Sequence, residues 1–560
     1  MLRPPVGDST SMYNEITLLL FATAVLGVVA LRLKQPVIVA YILIGIIAGP
    51  SVLDWVSANE PMELLAEIGV TILLFVVGLK LDIHLIRKLG VVALATGLGQ
   101  LAFTIVLGFL IGLALDMDWL RALYVAVALT FSSTIIIVKL LSDKREIDSL
   151  HGRIAMGFLI VQDLAVVLAM MVIGTQGGAS EGTTVLAQVG EILLKVAGLG
   201  VVVAILMRWV LPRVLHWMAA SQELLLVFAV AWGTTLAAGG EWLGFSKEVG
   251  AFLAGFSLAS LPFREAINAR LASLRDFLLL FFFVHLGTQL DMNTLGAEVP
   301  AAILLSLFVL VGNPLIVMAI MGAMGYRKRT GFLAGLTVAQ ISEFSIIFIG
   351  MGVAVGHVDP AALGLVTLVG LITITLSTYM ILYSHRLYAL CEPWLGAFER
   401  ANPWREKNYD EQHGRADVIV FGMGRYGLRL SERLCAAGLD VVGVDFDPEV
   451  LARARPGPIQ VLFGDAGDDD FVAGLPLDRA RQVVSSLRDP DLDRQLVHSL
   501  RRCGYEGPIA VTAHSSVEGK RLLEAGADEV LLPFHDAADH AARRIGDALQ
   551  SRPAPRSLET

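Results

Sequence analysis

An aspartate in the middle of an apolar, helix-length run is the first residue in this sequence that asks for a chemical role. Asp163 stands in Gly157-Phe-Leu-Ile-Val-Gln-Asp-Leu-Ala-Val-Val167, about ten residues from either end of its run. A carboxylate at bilayer depth is costly and marks an ion or proton site by default. The structural alternative is an aspartate paired with backbone or with a lysine. Gln162 is neutral and offers a carbonyl oxygen to a cation. The preceding run contains Thr130-Phe-Ser-Ser-Thr134, with Ser132, Ser133 and Thr134 adjacent. Hydroxyls so dense compete for backbone hydrogen bonds and favour local unwinding, although serine and threonine also pack between ordinary membrane helices. Broken helices with exposed carbonyls and half-helix dipoles recur at transporter ion sites. A second polar cluster, Gln340, Ser342 and Glu343, lies in Thr337-Val-Ala-Gln-Ile-Ser-Glu-Phe-Ser345. Glu343 reads either as a second proton or cation ligand or as a brace at a half-helix N-terminus, the latter slightly favoured. Lys80, Glu67, Lys139 and His285 lie nearer span ends, where snorkelling or local pairing is expected.

The third constellation is of another kind. Asp417-Val-Ile-Val-Phe precedes Gly422-Met-Gly424-Arg-Tyr-Gly427 and a helical stretch, and the next apolar strand ends at Asp445. Strand, Gly-x-Gly-x-x-Gly, helix and a following acid together form a dinucleotide-binding fingerprint. Its glycines permit a tight turn and let phosphate oxygens reach helix N-terminal amides, while Asp445 can accept hydrogen bonds from ribose hydroxyls.

Two bodies must position these residues. The 560-residue chain is 55% hydrophobic and 17% charged, with a mean hydropathy of +0.68; a soluble domain carries roughly 25% charged residues. About thirteen apolar spans are expected, at 13–31, 36–56, 62–82, 89–114, 119–141, 152–175, 187–211, 222–243, 247–262, 273–290, 299–324, 331–355 and 360–384. The first span has no basic leader of the usual kind and reads as a membrane helix rather than a cleavable signal. Basic residues gather in alternate loops, among them Arg32 and Lys34, Lys144 to Arg153, Arg264 to Arg275, and Arg327 to Arg329. This places the N-terminus outside and the C-terminal region in the cytoplasm. Residues 1–385 form the membrane domain, 386–415 a linker, 416–535 a Rossmann domain and 536–560 a tail. Strands are expected at 441–444, 459–463, 482–486, 509–512 and 529–532 after the first. The net charge of −9 carries no nucleic-acid signature, and Cys391, Cys435 and Cys503 have no metal-ligand spacing.

The membrane segments resemble the monovalent cation:proton antiporter-2 family, its Kef-type branch in particular. The matching text is Leu33 to Gly45 with Gly49-Pro50, Glu67 to Leu79, Ser132 to Thr134, Gln162-Asp163, Gly250 to Gly255, Phe282 to Gly287 and Gln340 to Phe344. The resemblance implies a polytopic helical domain with inverted repeats, two crossed and mid-broken helices, and a homodimer. It makes Asp163 the cation- and proton-binding aspartate and favours potassium over sodium. Many family members carry a lysine before the second crossed helix, and Asn313 is expected to occupy that position, near Asp163. Gly422 to Gly427 and Gly464-Asp-Ala466 resemble a TrkA-N, or RCK, domain. That implies regulation by an adenine nucleotide, NAD(H) or AMP, with Arg425 on phosphate and Asp465 near the adenosine. A cation:proton antiporter, not an enzyme, is therefore expected. A nucleotide-gated cation channel is the alternative, although no carbonyl filter repeat is present. A membrane-bound NAD-dependent oxidoreductase is less favoured, since no substrate domain or catalytic set follows the fingerprint.

Overall fold

The computed structural model describes residues 9–50, 52–53, 55, 60–80, 90–144, 146–147, 149–174, 198, 205–218, 221–242, 245–261, 263–290, 292–400, 416–454, 458–487 and 489–550. The expected span at 187–211 and the linker beyond 400 lie largely outside them. Two compact units emerge. One falls within Met1–Ile147, His151–Ile320 and Gly331–Pro393. The other falls within Asp148–Leu150, Met321–Thr330 and Trp394–Thr560.

The first unit is helical. Its helices are α1 (Ser9–Arg32), α2 (Val37–Ala48), α3 (Glu60–Lys80), α4 (Gly90–Ala114), α5 (Trp119–Ala128), α6 (Thr134–Asp143), α7 (Leu150–Gly174), α8 (Leu211–Met218), α9 (Gln222–Trp242), α10 (Lys247–Leu258), α11 (Arg264–Thr288), α12 (Met292–Leu307), α13 (Asn313–Ala323), α14 (Lys328–Leu336), α15 (Glu343–Ala354), α16 (Pro360–Leu382) and α17 (Ser384–Cys391). Among the described residues, eight stretches are long and apolar enough to cross a membrane, with α12 and α13 continuous through a π turn at Phe308–Gly312. Pro314 explains that turn: it has no N–H to donate to the carbonyl four residues back. Close helix packing depends on glycine at a few places. A Cβ on Gly255 of α10 would lie 1.8 Å from the Phe75 carbonyl oxygen of α3, so only glycine admits this approach.

The spans expected at 119–141 and 331–355 are each two helices with a gap, and the gaps are built alike. Thr130 Oγ1 donates to Val127 O (2.6 Å) and Thr337 Oγ1 to Ala334 O (2.6 Å), closing the C-terminal end of α5 and of α14. Ser133 then accepts from Ile136 N, capping α6, and Ser342 accepts from Phe344 N within a capping box that includes Ser345, capping α15. Hydroxyl side chains take over from the backbone ladder at both gaps. The span expected at 36–56 is shorter, because α2 ends at Ala48, before Gly49-Pro50.

The second unit carries a six-stranded parallel sheet in the order β3-β2-β1-β4-β5-β6. Its strands are β1 (Val418–Phe421), β2 (Val441–Asp445), β3 (Gln460–Phe463), β4 (Gln482–Ser485), β5 (Ile509–Thr512) and β6 (Glu529–Leu531). The crossover helices are α18 (Arg425–Ala436), α19 (Pro448–Ala454), α20 (Asp469–Ala473), α21 (Pro490–Arg502) and α22 (Ser516–Glu524). The order reverses between β1 and β4, the switch point at which such sheets bind ligands. The tail expected from 536 is instead helical: α23 runs Pro533–Gln550.

Candidate ion-exchange site and nucleotide site

The two gaps meet at Asn313. Its Nδ2 donates to Leu129 O (3.3 Å), at the C-terminal end of α5, and to Val338 O (3.4 Å), just past α14. Its Oδ1 accepts from Thr104 Oγ1 of α4 at 2.9 Å. Asn313 is fully buried. One neutral amide thus serves the negative ends of two half-helix dipoles, a place where a cation would otherwise be favoured. Expectation put this residue beside Asp163, but none of its hydrogen bonds reaches that carboxylate. Its partners are carbonyls and a threonine.

The other two half-helix ends face acids. Thr134, the first residue of α6, donates its hydroxyl to Asp163 Oδ2 at 3.0 Å. Glu343, the first residue of α15, is 3% exposed and accepts from Ser342 Oγ at 3.3 Å. A carboxylate at a helix N-terminus is stabilised by the dipole. Glu343 and Lys80 both interact electrostatically with Asp163. Lys80 thus belongs to the surroundings of the site, where its position near the end of a span suggested snorkelling or local pairing.

The residues around these acids are largely committed to the backbone. Gln162 Oε1 accepts from Ser132 N–H (3.2 Å), so the oxygen expected to be offered to a cation also holds the first gap. Its Nε2 donates to Gln100 Oε1 of α4 at 2.8 Å. Gln340 Oε1 accepts from Ser377 Oγ of α16 (2.8 Å), and Ile341 N–H donates to Thr373 Oγ1 (3.3 Å), which fastens the second gap to α16. Ser345 Oγ reaches Phe131 O at 3.5 Å, joining one gap to the other. Ser132 Oγ is buried without a hydrogen-bond partner. A buried, unpaired oxygen donor two residues from Thr134 is chemically suited to a dehydrated cation. Gln100, Thr104, Thr373 and Ser377 were not anticipated from the sequence. Thr96, Gln100 and Thr104 recur every fourth residue along one apolar run, and that spacing is the signal that would have found the α4 pair.

A cavity of about 330 Å³ lies among α3, α10, α11, α15 and α16. Its apolar wall includes Phe282, Ile346 and Ile347, the last two one turn beyond Glu343, and its polar lining includes Glu63, Glu67 and His285. Glu67 is paired with Lys247 at 3.1 Å.

In the Rossmann unit each fingerprint glycine has its own reason. Gly422 has φ +83°, a left-handed conformation that glycine adopts freely. A Cβ on Gly427 would stand 1.9 Å from Gly422 O, so α18 packs too closely on the turn for any side chain. A Cβ on Gly424 would meet nothing within 4 Å; that residue caps α18 and leaves its first-turn amides approachable. Gly424 lines a pocket of about 450 Å³ with Met423, Arg425, Leu428, Val450 and Arg453. Two guanidinium groups beside an open helix N-terminus suit a phosphate. Asp445 ends β2; its Oδ2 accepts from Met423 N (2.7 Å) and its Oδ1 from Asp447 N (2.8 Å). The residues present therefore fit a nucleotide. Asp465 is 5% exposed and its Oδ1 accepts from Gly467 N at 2.9 Å, so it stabilises its own turn. Arg453 was not anticipated, because helix α19 carries no motif.

The comparisons with known proteins agree with this architecture. Residues 16–382 match the sodium/hydrogen exchanger transmembrane family, and residues 418–533 match the TrkA-N domain. Over 548 residues the chain is 27% identical to the putative cation/proton antiporter YbaL of Escherichia coli K12, covering 95% of this chain and 96% of that protein. Over 556 residues it is 28% identical to the glutathione-regulated potassium-efflux system protein KefC of Salmonella schwarzengrund, covering 97% and 86% respectively. The sodium proton antiporter MjNhaP1 of Methanocaldococcus jannaschii overlays with a TM-score of 0.46 at 18% identity, over 69% of this chain and 100% of that one. Since the exchanger match alone spans well over half of its length, the chain belongs to the sodium/hydrogen exchanger family and carries a TrkA-N domain after its membrane part.

Proposed function

We propose that this protein exchanges a monovalent cation, potassium, for protons at Asp163, and that an adenine nucleotide on its TrkA-N domain sets the rate. The observation that carries the reading is the pairing of Asp163 with Thr134 at the start of a half-helix. One carboxylate there holds either a proton or a dehydrated cation, and competition between the two couples their movements. Ser132 Oγ supplies a further oxygen, while Gln340, Ser342 and Ser133 shape the gaps. Potassium is preferred to sodium because relatives across most of the chain are named for potassium efflux.

The loop-charge bias orients the N-terminus outside and the TrkA-N domain in the cytoplasm of a bacterial inner membrane, where the protein works as a homodimer. The nucleotide, NAD(H) or AMP, would be held by the first-turn amides of α18, by Arg425 and Arg453, and by Asp445. It supplies binding energy rather than redox chemistry, and acts on exchange by binding one arrangement of the transporter better than another. The test is a cation series in proteoliposomes with an imposed pH gradient. Potassium-dependent proton movement at lower apparent KM than for sodium supports the reading; a sodium preference overturns the choice of cation. A cation leak uncoupled from protons overturns antiport.

A further inference from the structure

We infer that Gln100, on α4 and outside the ion site itself, is a positioning residue for exchange: its side-chain amide fixes the spacing between Asp163 and the N-terminus of α6. The inference rests on the reading of Asp163 as the exchanging carboxylate.

Gln100 has no exposed surface. Its Oε1 accepts from Gln162 Nε2 at 2.8 Å, and its Nε2 donates to Thr104 Oγ1 at 3.1 Å and to Thr130 O at 3.4 Å. The helices that carry Gln100 and Gln162 touch closely beside this pair: a Cβ on Gly97 would lie 2.9 Å from Val161 Cβ. The bonds form one directed chain. Ser132 N–H donates to Gln162, Gln162 to Gln100, Gln100 to Thr104, Thr104 to Asn313, and Asn313 to Leu129 O. The chain starts at Ser132 and ends at Leu129, so it closes around the first gap.

Asp163 follows Gln162 directly, and Thr134 stands two residues after Ser132. The Ser132–Gln162 bond therefore runs beside the Thr134–Asp163 bond, and holding the first sets the second. At position 100 this task needs one acceptor and two donors on a neutral group, which a primary amide provides. An aliphatic side chain leaves Gln162 Nε2 and Thr130 O buried without partners. An ionised carboxylate still accepts from Gln162 but cannot donate to Thr130 O. Such losses within a buried polar network are felt by every member.

The test uses the full chain in proteoliposomes, with potassium and an imposed pH gradient. Gln100→Met is expected to raise the apparent KM for potassium about tenfold and to leave kcat within about twofold, because the site is misplaced rather than removed. Gln100→Glu, when protonated, both accepts from Gln162 and donates. Its exchange should approach that of the wild type at the acidic end of the range and fall steeply as pH rises, a dependence that a filler of space would not create. If Gln100→Met does not fold, the pH profile of Gln100→Glu decides alone. A Gln100→Glu profile that superimposes on the wild type, or an unchanged KM in folded Gln100→Met, overturns the inference while leaving antiport intact. A wild-type protein that exchanges nothing overturns the antiport reading and this inference with it.

Discussion

Thr134 donates its hydroxyl to Asp163 at 3.0 Å, tying the first residue of a half-helix to the carboxylate on its neighbour. The bond holds the acid beside the positive end of α6. Thr134→Val keeps the shape and removes the donor. It should raise the apparent KM for potassium by about tenfold, whereas Thr134→Ser should stay within about twofold of the wild type. Initial rates of proton flux against potassium concentration read both, and a Val variant with wild-type KM would show the bond to be incidental.

Asn313 is expected to matter for the fold before it matters for transport. Asn313→Leu leaves Leu129 O, Val338 O and the Thr104 hydroxyl buried without this partner, each at a cost of about 1–3 kcal/mol. Thermal unfolding of the purified protein should drop clearly. Asn313→Lys keeps a donor for the carbonyls and should unfold nearer to the wild type, while its charge among half-helix ends should weaken potassium binding. Equal stability of the Leu variant and the wild type would remove Asn313 from the crossing's support.

The nucleotide site is tested by calorimetry on the full chain with NAD, NADH and AMP. Asp445→Ala should weaken binding about tenfold, since it removes the ribose acceptor and also frees the Met423 amide that shapes the turn. Arg453→Ala should weaken it through lost phosphate contact. An intact protein that binds none of the three at millimolar concentration would make the domain a structural element only.

Asp493 gives the TrkA-N domain a pH dependence of its own. Burial pushes its carboxyl up to about 7, against the opposing hydrogen bond from Ser485 and with Asp489 and Glu518 adding to the rise. The folded acid thus holds its proton more tightly than the unfolded one, whose value is ~4. Stability is fully present at low pH and falls as pH rises from about 4 to about 7. Asp493→Asn should abolish that slope and, at pH 8, stabilise the domain by on the order of a few kcal/mol. Unfolding scans at pH 5.5 and pH 8 decide it: an identical slope in the variant contradicts the assignment.

How much of this was legible in the sequence depended on whether a residue announces its role locally. The gaps at 129–133 and 337–342 were readable because clustered hydroxyls compete for the hydrogen bonds of their own backbone. The Rossmann fold followed from the spacing of Gly422, Gly424, Gly427 and Asp445, because the glycines' roles are conformational. Gln100 and Thr104 were passed over because their partners, Gln162 and Asn313, lie 62 and 209 positions away. For the same reason the bond that Gln162 Oε1 accepts from the Ser132 amide, 30 positions away, could not be read from the sequence. Helix α23 was taken for a tail because its sequence is mostly polar, with Phe534 and Ile545 among its exposed apolar residues.

The central claim is that cation and proton share one carboxylate, and a single substitution reaches it most directly. Asp163→Asn preserves size and can still accept from Thr134, but it carries no titrating group. Wild-type protein in proteoliposomes with an imposed pH gradient is predicted to move protons only when potassium is supplied. The Asp163→Asn protein, equally abundant and equally stable to heating, is predicted to move none. Full potassium-dependent proton flux in Asp163→Asn would contradict the account, because the exchange would then run without the group on which it is built.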